Sequence, residues 1–513
     1  MKGLCYMNNA ISITIKERLP VFASAILFSF LANAFTFLNW NPRHDAINHT
    51  FFFAGQWEVS LGRFLQPYYG KIRGDIASTW YIGIIGTFFI ALSVCIIIDL
   101  IEIRNLCFRV IISGILVANF SITEVCGTFL YVYDCFMIAL FLACLSAWIW
   151  IRLNKIWKYP LSCLCLVVSL ALYQAYISVT IVLFAYIFIR EAYRNTLWKI
   201  LLTHIFSIII LIIIGGGIYY VTWQYFLTKW EVVPANTYNG LSQMTLLSID
   251  VLINHIISTY KGIYELFFST FIFDTVIICI HFVIIMCVAF FVIFMLVKKN
   301  LKFYNSIIIL LGGCIMPLCA NVVGLLSGLG IELRCSWALF LCYPICFAII
   351  ESFINKMGIK ERNRIIYLFT VIGSIVIIGN IKYSNGVYVY SEVIYQKTTS
   401  IMTRVLDNME KCEGYKAGET QVAVLGNLSH NEDYYAEIPK QYTRMAGISK
   451  IGTTTAAKTY KFWELLGTKI NGITDSSYLK EIQNLEIVKG MPCYPYNGYC
   501  KVIDDIMIVK LSE

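Results

Sequence analysis

The sequence predicts an all-α polytopic membrane protein, with interfacial helices in its first outer loop and a small C-terminal α/β domain. Three observations carry this. Of 513 residues, 58% are hydrophobic and only 14% charged, and the mean hydropathy is +0.71, outside the range of soluble globular chains. The apolar residues come in runs long enough to cross a bilayer, which takes about 20 residues at a rise of ~1.5 Å each. From residue 383 the runs stop and charge becomes denser. The chain therefore divides into a transmembrane part, 1–382, and a soluble part, 383–513.

Eleven spans are expected, near 20–39, 78–100, 107–123, 130–151, 160–173, 175–190, 200–222, 272–297, 305–326, 335–354 and 365–382. Lys2, Lys16 and Arg18 precede the first, and "ANA" at 32–34 has the look of a cleavage site. The apolar run continues through "FTFLNW", so an uncleaved anchor is expected. The fifth and sixth spans share "PLSCLCLVVSLALYQAYISVTIVLFAYIFIR", too long for one upright helix and short for two. The polar tips of Tyr173 and Gln174 mark the division, and tilted or half-depth helices satisfy the length. In the tail, "SEVIYQKTTSIMTRVLDNM" has helical spacing, "QVAVLGN" and "DIMIVKL" read as strands, "KFWELLG" as a short helix and "PCYPYNGYC" as turns.

Basic residues fix the expected orientation. One set of loops carries Arg18, Arg104, Arg109, Arg152, Lys155, Lys158, Arg190, Arg194, Lys199, Lys298, Lys302, Lys356 and Arg362 among others. The opposite loops before the tail hold only Arg43, Arg63, Lys71, Arg73, Lys229, Lys261 and Arg334. The excess marks the cytoplasmic side. The N-terminus is then inside, and an odd number of spans puts the tail outside. The net charge of +9 is a topology signal, not a nucleic-acid patch.

Most of the 18 cysteines sit in apolar runs and read as small buried hydrophobes. Cys493 and Cys500, in the tail, are a candidate disulfide if the tail is extracytoplasmic. No Walker A sequence, Rossmann glycine fingerprint or cysteine–histidine zinc array is present. The histidines form no metal-spaced pair; His204, His255 and His281 read as packed or interfacial.

The candidate site residues lie on the expected outer side. "RHDAINHTFFFAGQWEVSLGRF", 43–64, places Asp45, Glu58 and Arg63 in the first outer loop. Its continuation can form amphipathic helices on the membrane surface. A carboxylate at headgroup level, Asp45 or Glu58, can take a proton from a sugar hydroxyl. Arg63 can pair bidentately with a lipid phosphate, helped by Lys71 and Arg73. Arg334, opening a late span, is a second phosphate partner or a partner of Glu332. Glu124, Tyr133 and Asp134 gather acids and an aromatic ring near one span end, a combination suited to sugars. Tyr173 and Gln174 cap another outer turn, and His44 can tune Asp45. A divalent metal could be ligated by Asp45 and Glu58; no other cofactor is indicated.

Several stretches together resemble a known family. They are the acid in the first loop followed by Gly62–Arg63, "YVYDCFMIALFLA" (131–143), "SLALYQAYI" (169–177), Arg334, and the ending "MPCYPYNGYCKVIDDIMIVKL". The chain resembles the GT-C membrane glycosyltransferases and, more narrowly, the serotype-converting bacterial glucosyltransferases (Gtr) that decorate O-antigen. Where that family often carries two adjacent acids, this chain has His44–Asp45. The resemblance implies an undecaprenyl-phosphate-linked hexose donor, usually glucose. It also implies a polysaccharide acceptor such as lipopolysaccharide O-antigen, use on the periplasmic face of the inner membrane, and partner proteins that synthesise and flip the donor. Two alternatives stay open: a lipid or oligosaccharide flippase, and a membrane O-acyltransferase or polymerase acting on the same polysaccharide. A transporter is expected to carry mid-membrane charges and repeated halves; an acyltransferase is expected to need an intramembrane histidine.

Overall fold

A computed structural model describes residues 15–42, 44–49, 55–235, 248–270, 272–298, 301–328, 330–428, 442 and 455–513. The helices in chain order are α1 Ile15–Leu38, α2 Gln56–Ser60, α3 Gln66–Arg73, α4 Thr79–Ile101, α5 Leu106–Val117, α6 Phe120–Thr128, α7 Tyr133–Arg152 and α8 Lys158–Leu172. They continue with α9 Ile177–Tyr193, α10 Trp198–Trp230, α11 Ile249–Phe268, α12 Thr275–Lys298, α13 Phe303–Ala320, α14 Val322–Ser327, α15 Cys342–Ile354 and α16 Ile359–Glu410. Ten helical stretches among the described residues are long and apolar enough to cross a membrane, and α8 is a shorter apolar helix. Each of the eleven expected spans falls on one of these. Two chain-level differences stand out. Residues 383–410 do not form a separate helix but continue α16, in which no proline interrupts the hydrogen-bond ladder. Residues 223–271, read from the sequence as one long loop, contain α11, whose apolar stripe is too narrow to register as a span.

Two compact units form. The first comprises residues 1–37, 53–126 and 132–385; the second comprises 386–513 together with 38–52 and 127–131.

In the first unit, small residues let α7 pack closely on α8 and α9. The hydroxyls of Ser146 and Ser162 bond each other at 3.0 Å, Ser169 donates to the Ala139 carbonyl at 2.7 Å, and Thr180 to the Ala143 carbonyl at 3.0 Å. The third span is broken between α5 and α6, and the break is repaired by side chains. Asn119 donates back to Leu116 O at 2.8 Å and accepts from Ile122 N at 3.1 Å. Trp337 Nε1 donates to Leu116 O at 3.2 Å and Asn380 Nδ2 to Ala118 O at 2.8 Å. Helix-end carbonyls in apolar surroundings need such partners.

The basic residues of the loops assigned to one side converge on a few acids. Buried Asp99 meets Arg18 at 3.5 Å and Arg152 at 3.4 Å, and accepts from Trp148 Nε1 at 2.7 Å. Glu102 meets Arg190 at 3.3 Å and Arg194 at 2.8 Å. Glu351 accepts the main-chain N–H groups of Arg104 and Asn105 at 3.1 and 2.8 Å.

In the second unit, four strands form a sheet in the order β2-β1-β4-β3: β1 Gln421–Leu425, β2 Asn471–Gly472, β3 Cys500–Ile503 and β4 Ile506–Lys510. β1 runs parallel to β2 and β4, and β3 antiparallel to β4. The β3–β4 hairpin turns on Asp504 and Asp505, both at positive φ (49° and 60°), as a two-residue turn with the twist of the strands requires. Three helices join it: α17 Ala456–Leu465, α18 Ser476–Asn484 and α19 Glu486–Lys489. Ala423, Leu425, Ile482, Val488 and Ile508 form its core. Buried Trp463 of α17 donates to the Met402 carbonyl of α16 at 3.1 Å.

Replacing Asn380 by Leu leaves the Ala118 carbonyl buried without its donor. The expected loss is about 1–3 kcal/mol of stability, measured as a lower thermal unfolding temperature in detergent; an unchanged temperature would refute the assigned role.

Candidate active site

Arg63 owes its position to the turn between α2 and α3. Gly62 adopts φ +84°, the left-handed region, and a Cβ there would collide with the Tyr219 hydroxyl and the Gln174 amide. Those two groups grip the turn: Gln174 Nε2 donates to Leu61 O at 2.7 Å and to Tyr219 Oη at 2.9 Å, and Tyr219 donates to Gly62 O at 3.0 Å. Below it, Gln66 Nε2 donates to Leu172 O at 2.7 Å and Leu65 N to Ala171 O at 3.2 Å. These bonds take up carbonyls exposed where α8 stops and the chain turns through extended Tyr173 into α9. The half-buried Arg63 guanidinium lies over the Tyr173 ring at 5.0 Å. No carboxylate among the described residues forms an ion pair with it, and its buried Nε has no hydrogen-bond partner.

Arg73 differs. Its guanidinium meets Asp134 at 2.8 Å, with side-chain exposures of only 4% and 0%. The Tyr69 hydroxyl donates to the other Asp134 oxygen at 2.7 Å, and the Cys135 N–H to the first at 2.8 Å. Asp134 lies in the first turn of α7, where the helix dipole also favours negative charge. Burial first, then the neighbouring Asp134 carboxylate, raises the Tyr69 pKa above its ordinary value, so Tyr69 remains a protonated donor.

Arg334 directly precedes Cys335, whose Sγ bonds the Tyr173 hydroxyl. It meets Glu332 at 2.7 Å and acts electrostatically on buried Glu124. The Tyr173 hydroxyl bonds Cys335 Sγ at 3.3 Å, and its ring stacks on Phe136 at 3.7 Å. Buried Glu124 Oε2 has no hydrogen-bond partner. The Arg63 guanidinium thus lies over a stacked aromatic pair, Tyr173 on Phe136, and has no paired carboxylate among the described residues, whereas Arg334 is paired with Glu332.

Asp45 belongs to the second unit. It lies on a 3₁₀ helix, His44–His49, rather than on the amphipathic helices α2 and α3. Lys458 Nζ of α17 donates to Asp45 Oδ1 at 3.0 Å, and His49 stacks on Tyr131 at 4.4 Å. Just before it, Asn41 Nδ2 bonds Glu392 of α16.

A family model for glucosyl transferase GtrII matches residues 34–337, more than half of the chain. The chain belongs to this family. No curated protein matches it. Membership makes this GtrII protein a membrane glucosyltransferase, and the matched segment contains every candidate site residue outside the tail.

The remaining sequence-based candidates in this GtrII chain fall as follows. Glu58 is buried beside the Arg63 turn. Lys71 is exposed and acts, with Lys229, on the Tyr68 hydroxyl. Tyr133 is fully buried against Phe37, at 5.7 Å between centroids, and against Gly86. The His44 side chain and Arg43 lie outside the described residues. The expected Cys493–Cys500 disulfide is not formed. Both thiols are free: Cys493 bonds Glu513 at 3.3 Å, and Cys500, on β3, faces Cys412, whose Sγ bonds the Cys500 carbonyl at 3.7 Å. Among the described residues no group of three or more histidine, cysteine or acidic side chains is arranged to hold a metal ion. His281, the histidine an acyltransferase would need, is packed: Nδ1 bonds Phe267 O at 2.7 Å and Nε2 the Tyr343 hydroxyl at 2.6 Å. Three contributors were missed in the sequence. Tyr69 was legible in principle, four residues before Arg73 on one helix face. Tyr219 and Lys458 carried no local signal.

The two arginines predict opposite stability effects. Arg73→Ala leaves Asp134 buried without its cation and is expected to cost about 3–5 kcal/mol. Arg63→Ala removes a cation that has no ion-pair partner and is expected to shift stability by no more than about 0.5 kcal/mol. Thermal unfolding of the two purified variants checks the contrast.

Proposed function

We propose that the protein transfers glucose from undecaprenyl-phosphate-glucose to a surface polysaccharide, with O-antigen the favoured acceptor, on the periplasmic face of the bacterial inner membrane. The observation that carries this reading is the Arg63 guanidinium. It is held by a glycine turn and two hydrogen-bonded side chains, laid over an aromatic ring and left without a paired carboxylate among the described residues. Keeping a half-buried cation unpaired is unfavourable, and a phosphate diester ligand would satisfy it with bidentate geometry. Arg334 supplies a second cation whose charge Glu332 partly offsets. Arg73 is committed to Asp134, so its role in this reading is to hold that end of α7, together with Tyr69.

The reaction is a direct displacement. Asp45 accepts the proton of an acceptor hydroxyl as that oxygen forms a bond to the anomeric carbon. The bond from that carbon to the phosphate oxygen breaks, and the lipid phosphate departs with the electron pair and the added charge. Arg63 and Arg334 stabilise that charge. Aromatic and amide groups at Tyr173 and Gln174 suit the sugar. The donor is made and flipped by partner proteins.

The orientation draws support from the ion pairs of the first unit. Arg18, Arg152, Arg190 and Arg194, all from loops assigned to the cytoplasmic side, share Asp99 and Glu102. Loops that pair with one another belong on one face of the membrane.

Asp45→Asn is expected to lower glucose transfer by about 10²-fold or more while expression and membrane insertion stay normal. Arg63→Ala is expected to lower kcat/KM for the lipid donor by about 10²-fold. The assay follows radiolabelled glucose from undecaprenyl-phosphate-glucose into lipid-linked O-antigen in proteoliposomes. Full transfer by Asp45→Asn would remove Asp45 as the base. Transfer from a soluble nucleotide sugar with no lipid donor would remove the donor assignment.

A further inference from the structure

We propose that Lys458, in the C-terminal domain, is a positioning residue for Asp45; this rests on the reading of Asp45 as the base. The two residues are 413 positions apart in sequence, yet Lys458 Nζ donates to Asp45 Oδ1 at 3.0 Å. The lysine side chain is 16% exposed and the aspartate 36%. The ammonium holds one carboxylate oxygen and fixes the rotation of the group, as a base that must face a hydroxyl requires.

A structural latch is the competing explanation, and the surroundings argue against it. Part-exposed ion pairs contribute little to stability, about 0–1 kcal/mol. The Asp45 segment has other anchors: Asn41 bonds Glu392, Ile47 is fully buried, and His49 stacks on Tyr131. α17 does not need the Lys458 side chain either. Its N-terminus is capped by Thr455, whose hydroxyl accepts the Lys458 main-chain N–H at 3.3 Å. Its packing comes from Trp463 and Tyr460, and Tyr460 donates to the Val422 and Ile473 carbonyls at 2.9 and 3.0 Å. The Lys458 ammonium thus ends on a single described partner, the candidate base.

Orientation acts in the transition state, where a displacement of about 1 Å costs about 10²-fold in rate. Loss of the ammonium is therefore expected in kcat, not in the donor KM, since the donor phosphate is assigned to the arginines.

The test uses the full-length protein in proteoliposomes with undecaprenyl-phosphate-[14C]glucose and lipid-linked O-antigen, comparing Lys458→Gln, Lys458→Arg and Asp45→Asn. Lys458→Gln is expected to lower kcat about tenfold or more, with the donor KM within about twofold of wild type and the unfolding temperature unchanged. Lys458→Arg, which keeps a cation in reach, is expected to recover most of the rate. Wild-type kcat in Lys458→Gln, or no recovery in Lys458→Arg, overturns the inference while inactive Asp45→Asn leaves the base reading standing. An active Asp45→Asn overturns the base reading and this inference with it.

Discussion

In hydrocarbon every main-chain N–H and C=O must find a partner inside the protein, and this constraint organises the first unit. Two helical crossings break it locally. One break lies between α5 and α6 and is mended by Asn119, Trp337 and Asn380. The other lies between α8 and α9, where Gln66 and the Leu65 N–H take the carbonyls of Leu172 and Ala171. The second repair brings the α2–α3 segment against the α8–α9 turn, which places Arg63 over Tyr173 and Gly62 under Gln174. The first repair sits one turn from Glu124, and Ser121 on α6 bonds the Arg334 carbonyl at 3.5 Å. The candidate site thus grows out of the interruptions in the helices. Polar groups recruited to satisfy the backbone also shape the place where a ligand can sit.

The arginines show how the same constraint sorts charge. Arg73, Arg152, Arg190 and Arg194 each meet a carboxylate within 3.4 Å, and each neutralises an acid near the end of a span. Such pairs break roughly even against burial, but losing one partner is costly. They are fixtures of the fold. Arg63 is built with similar care, through a left-handed glycine and two gripping side chains, yet no acid among the described residues pairs with it. That asymmetry separates the proposed donor-phosphate cation from a structural one more sharply than position on the outer loops does, since Arg63 and Arg73 share that loop.

The sequence resolved what hydropathy and composition control. The ten long apolar helices and the shorter α8, the strands at 421–425 and 506–510 and the helix around Lys461–Leu465 are all readable locally. So is the break at Tyr173–Gln174, because polar-tipped residues interrupt an apolar run. Three things were not readable. α16 runs on past residue 382 because falling hydropathy ends a span but does not end a helix. Arg73 and Arg63 look alike as letters, and only the tertiary placement of Asp134 and Tyr69 separates them. Cys493 and Cys500 are close in sequence, but β3 carries Cys500 toward the end of α16, where Cys412 lies.

The second unit raises the remaining question of how an acid from the first loop is kept in order. Residues 38–52 and 127–131 form one compact unit with 386–513, so the Asp45 helix has its packing partners at the far end of the chain. A six-residue 3₁₀ helix cannot hold itself together in isolation. Its order comes from Glu392 on α16, from Tyr131 and from the packing of buried Ile47 and of α17 against it, and α17 in turn is held by Trp463 on α16 and by the strand hydrogen bonds of Tyr460. The tail is therefore more than an appendage to a membrane enzyme. Its sheet and helices form the scaffold on which the candidate base is mounted, and any change that loosens β1 or α17 acts on Asp45 without touching it.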